Sequence, residues 1–203
     1  MATITKAESF MTQVEDKIRV LLKEFSEGKL NSEQFHVLYE RYSARRLIAQ
    51  QAMLTGDTGV LRNQQADQST IAIKEAHMGK ALGLTIYLNQ TGATIETLGD
   101  FGVSAFKISP ILNEFRHLVL DGKLIRPRVE RLEEKRWLLF SGERYTTVVT
   151  LFRNEPSPMQ MREIQRLQHD FEVANETFLE QSRFDSRELG YPFYAFVQRK
   201  LKK

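Results

Sequence analysis

The 203-residue chain has no cysteine, which excludes disulfides, thiolate metal ligands and a cysteine nucleophile. A reducing, cytoplasmic setting is the expectation that follows. No apolar run approaches the roughly 20 residues of a membrane helix, so no membrane span is expected. Met1–Ile18 lacks an apolar stretch, and no signal peptide is expected there. Neither sign of charge dominates. The 29 basic and 26 acidic residues are interleaved, and a net charge of +3 gives little pull towards anionic partners. With 41% hydrophobic residues, the chain can still build a substantial core.

Phe10, Val14, Ile18, Leu21, Leu22 and Phe25 recur at helical spacing, and Gly28 follows where a left-handed residue is wanted. Asn31-Ser-Glu-Gln34 reads as a capping box. It opens a second helix carrying Phe35, Leu38, Tyr39, Tyr42, Arg46, Ala49 and Met53. These residues predict an N-terminal α-helical hairpin over 1–54. The polar, glycine-containing stretch 55–69 reads as a linker or mobile loop, and 70–203 as the main domain.

In that domain Thr70–Lys80 reads as a short helix running into a strand at Leu84. Leu84–Leu98 reads as a hairpin around Asn89-Gln-Thr-Gly92. Gly99–Lys107 reads as loop. Ser109 as cap and Pro110 at the first helical position open a helix with Ile111, Leu112, Phe115, Leu118 and Val119 inward. Arg128–Leu132 reads as an edge strand, Trp137–Phe140 as a buried strand, and Tyr145–Phe152 as its return after the Ser141–Arg144 turn. Ser157, Pro158 and Gln160 then start a long helix with Met161, Ile164, Leu167, Phe171, Ala174 and Phe178 as its buried seam. The aromatic tail Tyr191–Val197 is expected to dock, with Arg199–Lys203 as a basic end. The fold class is α+β, an antiparallel sheet in ββ-α-βββ-α order flanked by helices, with the N-terminal helical hairpin attached.

The chemistry-bearing patterns are missing. None of the four histidines lies at metal-ligand spacing from another. His77-Met-Gly-Lys80 lacks the earlier glycine and following hydroxyl of a phosphate loop. Gly79 and Gly83 read as packing glycines. Gly102-Val-Ser104 lacks the second glycine of a nucleophile elbow. Glu133-Glu134 reads as a solvated turn, and Glu155 as a structural hydrogen-bonding residue at the mouth between strand and helix. Of the basic groups near Arg41, Arg126 and the C-terminus, the middle one is interrupted by Glu130, Glu133 and Glu134, and no RNA-binding or helix-turn-helix signature is present, so nucleic-acid binding is not expected. No catalytic residue, metal or cofactor is expected.

The strand–turn–strand Leu84–Leu98 (LTIYLNQTGATIETL) and the Tyr145–Phe152 strand leading into the Met161–Phe178 helix resemble the roadblock/longin/profilin-like superfamily. The resemblance spans about residues 84–182 and lies in topology and patterning. It implies a non-catalytic domain that dimerises or forms a platform for small GTPases. The expectation is a non-catalytic protein-interaction or regulatory scaffold module, self-associating as a homodimer or binding a small GTPase. Tyr39, Tyr42, Arg46 and Glu155 are its candidate interaction surface. The alternative is a small-molecule sensor of PAS or GAF type with a pocket near Tyr87, Trp137 and Tyr145.

Overall fold

A computed structural model describes residues 2–57, 59, 69–181 and 185–194. They divide into two units, one of Met1–Met78 with Ser157–Met159, the other of Gly79–Pro156 with Gln160–Lys203.

The first unit holds helices α1 (Ala2–Ser26), α2 (Ser32–Thr55) and α3 (Thr70–His77). Between α1 and α2 the chain reverses at Gly28, whose φ of 73° suits a residue without a Cβ. The capping box forms as read: Gln34 N–H donates to Asn31 Oδ1 (2.8 Å), and Asn31 N–H donates to Gln34 Oε1 (3.0 Å). Val14, Ile18, Leu21, Leu30, Leu38, Tyr42 and Ile73 make one apolar cluster. Ile73 places α3 in this unit, so the division falls after Met78 and not in the 55–69 stretch. The reason is polar as well as apolar. The last carbonyls of a helix lack intrahelical donors. Here the Asn31 and Gln34 side chains donate to His77 O (2.9 Å) and Lys74 O (2.6 Å). The box that starts α2 therefore also closes α3. Residues 58 and 60–68 of the expected linker lie outside the described residues.

The second unit is built on five strands, β1 (Lys80–Leu88), β2 (Thr94–Gly99), β3 (Arg128–Arg131), β4 (Arg136–Gly142) and β5 (Thr146–Arg153). They form an antiparallel sheet in the order β2-β1-β5-β4-β3. Helix α4 (Ala105–Leu120) follows β2, and α5 (Pro158–Gln181) follows β5. The ββ-α-βββ-α order and the α+β class are thus as read from the sequence. Successive strand residues point to opposite faces. Leu84, Ile86, Leu139, Val148 and Phe152 pack with Ile164, Leu167 and Phe171 of α5. Leu138, Phe140, Val149 and Leu151 pack with Ile108, Ile111 and Phe115 of α4. The two helices therefore cover opposite faces, and β5 is buried from Thr146 to Phe152.

The readings of α4 and α5 differ from the structure. Helix α4 starts at Ala105 with Ser104 as its cap, so Pro110 lies inside it. Burial of Ile108 (1% exposed) extends the helix towards its N-terminus. Pro110 removes one bond, to the carbonyl of Phe106, a residue 86% exposed. The α5 seam is rotated: Ala174 and Phe178 are exposed, while Gln168, Glu172 and Asn175 are buried with Leu179. Gly79 and Gly83 are sites of close chain approach, as a Cβ on Gly83 would lie 2.6 Å from the Asp100 carbonyl and one on Gly79 2.7 Å from Glu155 O. The tail docks as far as it is described, with Phe193 fully buried and Tyr191 stacked on Phe171 at 5.5 Å. Residues 195–203, which carry the rest of the aromatic tail and the basic end, lie outside the described residues.

Candidate functional site

The turn between β4 and β5 is fixed by three side chains, two from α5 and one from the end of β1. Glu172 of α5 accepts from Tyr145 N–H (3.0 Å), Thr146 N–H (2.7 Å) and the Thr146 hydroxyl (2.7 Å), all at Oε1. One helical turn earlier, Gln168 Nε2 donates to Thr146 O (2.9 Å). Asn89, just past β1, donates from Nδ2 to Glu143 O (2.7 Å), accepts at Oδ1 from the Thr147 hydroxyl (2.7 Å), and its N–H donates to Tyr145 O (2.8 Å). Glu143 N–H donates to Thr146 O (2.9 Å). Glu143 to Thr147 is thereby held as a platform.

Burial of Glu172 (5% exposed) pushes its pKa up to about 7; the hydrogen bonds from Thr146 oppose the rise, and the nearby Glu143 carboxylate adds to it. The three donors that meet one oxygen of the Glu172 side chain favour its charged form, and burial, which favours the neutral form, outweighs them. Beside it, His169 Nδ1 lies 2.7 Å from Glu143 Oε1, a contact that raises the histidine's pKa. The Tyr145 hydroxyl donates to Glu180 (2.9 Å), and burial followed by that carboxylate pushes its pKa up to about 12.

Two grooves flank the platform. One of about 680 Å³ runs between Gly122–Ile125, Ser141–Arg144 and the Arg162–His169 stretch of α5. The other, about 210 Å³, is lined by Leu88, Arg116, Leu120, Tyr145 and Leu179. Arg144 lines both, with its guanidinium 4.7 Å over the Tyr145 ring. On the groove margins Leu120 and Leu124 are 73% and 81% exposed.

The residues singled out from the sequence are not gathered here. Tyr87 packs on the α4 side of the sheet, Trp137 and Tyr145 on the α5 side, so the three do not line one pocket. Alternation along strands that share a sheet is the cause. Of the expected interaction surface, Tyr42 is core, 3% exposed, with its hydroxyl 2.8 Å from that of Thr70. Tyr39 is exposed and stacked on Phe35 at 5.5 Å, and Arg46 is half-buried on the same helix. Glu155 is half-buried and belongs to the second unit, whereas the other three belong to the first. Sequence reading passed over Asn89, Gln168 and Glu172. The available signal was position: Gln168 and Glu172 stand four and eight residues after Ile164, on the buried face of α5.

No family model, curated protein or solved structure matches the chain. Among the described residues no group of His, Asp or Glu is arranged to hold a metal ion, and no helix is long and apolar enough to cross a membrane.

Proposed function

We propose that the chain is a non-catalytic protein-interaction or regulatory module of the cytoplasm, and that its partner, a second copy of the chain or a small GTPase, seats on the β4–β5 platform. One observation carries this reading: buried polar side chains from α5 and from the end of β1 are used to fix the backbone of a turn at the protein surface. A surface already ordered before binding loses less conformational freedom on association. The side chains around the turn, Arg144, Leu120 and Leu124, are of the arginine and large apolar kinds that contribute to interfaces. The roadblock/longin/profilin-like resemblance supports the same reading and is the reason a small GTPase is named.

The test combines light scattering at tens of micromolar with binding of GTP- and GDP-loaded small GTPases to the immobilised full chain. The expected result is self-association or GTPase binding that a Leu124→Asp, Arg144→Glu variant loses while its circular dichroism is unchanged. A strict monomer that captures no GTPase overturns the proposal.

A further inference from the structure

The larger groove has a charge balance unlike that of the whole chain. Lys123, Arg144, Arg162, Arg166 and His169 line it against the single carboxylate of Glu143, whereas the chain as a whole has 29 basic and 26 acidic residues. That carboxylate already has a partner in His169 at 2.7 Å. Arg162 and Arg166 stand one helical turn apart on α5, so their side chains share a face. Among the described residues, Arg166 has no ion-pair partner. The contacts of the facing cations are solvent-exposed and open to exchange. Lys123 meets Asp121 at 2.8 Å, and Arg144 reaches Glu176 and Glu180 at 3.7 and 4.0 Å. Val119, Leu124 and Ile125 supply an apolar wall.

We infer that this groove binds a small organic phosphate, with the phosphate held by Lys123, Arg144, Arg162 and Arg166 and the organic part against Leu124 and Ile125. Guanidinium forks match phosphate oxygens in pairs, and several arginines suit a ligand with two or more charges. A volume of about 680 Å³ falls among small-ligand sites. The raised pKa of His169 keeps positive charge beside the groove to higher pH. The inference stands apart from the partner-binding proposal, and either can fail alone.

The test is calorimetric titration of the full chain with sodium pyrophosphate and with ADP, against sodium chloride of matched ionic strength. The expected Kd is below about 1 mM. An Arg162→Gln, Arg166→Gln variant should bind at least about tenfold more weakly, a loss of about 1.4 kcal/mol. Arg19→Gln, in the first unit, should bind as the wild type does. Arg166→Glu alone repeats the test should the double variant lose its native circular dichroism. Vesicles bearing phosphorylated headgroups separate two sources of the same chemistry. Co-sedimentation competed by pyrophosphate assigns a headgroup, and pyrophosphate binding without co-sedimentation assigns a soluble ester. If neither pyrophosphate nor ADP binds beyond the chloride control, or the folded arginine variants bind as tightly as wild type, the inference is overturned.

Discussion

Helices α4 and α5 cover opposite faces of one sheet by different means. The buried residues of α4 are all apolar: Ile108, Ile111 and Phe115. Along α5 the buried face alternates between apolar Ile164, Leu167, Phe171 and Leu179 and polar Gln168, Glu172 and Asn175. Burying polar groups stabilises little unless each finds a partner. On α5 the partners include backbone groups outside the helix: Thr146 O for Gln168, the N–H groups of Tyr145 and Thr146 for Glu172, and Gly190 for Asn175. Helix α4 is a lid on the core. Helix α5 is a lid that also fixes the β4–β5 turn and the start of the tail, and it brings Arg162, Arg166 and His169 to the basic groove.

The largest expected effect tests what the two helices share. Phe171→Ala removes a fully buried ring stacked on Tyr191, and Phe115→Ala removes one that is 2% exposed and edge-on to Phe140. Each should cost about 3–5 kcal/mol in denaturant unfolding. A cost below about 1 kcal/mol for either would mean that its helix is not packed as described.

Glu172 should give the next largest effect, and one for which α4 has no counterpart. Its folded pKa of about 7 lies above the ordinary 4.5, so between those values the folded state holds more protons than the unfolded state. This contribution to stability is fully present below pH 4.5 and is lost as pH rises through about 7, by up to about 3 kcal/mol. Glu172→Gln keeps an acceptor oxygen in place and cannot ionise. It should flatten the dependence in unfolding curves taken on either side of that range. An unchanged slope would assign the titration elsewhere.

Phe178→Ala should be the smallest, below about 1 kcal/mol, because the ring is 37% exposed. A loss as large as that of Phe171→Ala would restore the seam read from hydropathy and remove the contrast between the helices.

The strands and turns were legible because their signals are local. Alternation marks β1 and β2, apolar stretches on either side of a turn mark β4 and β5, and Gly28, Gly92 and the Asn31–Gln34 box mark reversals and a helix start. The start of α4 was misplaced because a serine–proline pair is a sound local signal that the docking of Ile108 overrides. The membership of α3 depends on Asn31 and Gln34 bonding carbonyls more than 35 residues away, which no window along the chain reveals. The site was least legible. Hydropathy counts Gln168, Glu172 and Asn175 as solvent-facing and so turns the α5 seam towards Ala174 and Phe178. The basic groove joins Lys123, Arg144 and Arg166, which only the fold brings together.

Amide hydrogen exchange at Tyr145 and Thr146 tests most directly whether α5 fixes the β4–β5 turn. Both N–H groups donate to Glu172 Oε1. They should be protected in the wild-type chain and in Glu172→Gln. In Glu172→Ala both should exchange much faster while Phe115 and its neighbours in α4 keep their protection. Exchange at Tyr145 and Thr146 that is already fast in the wild type, or that Glu172→Ala leaves unchanged, would contradict the account.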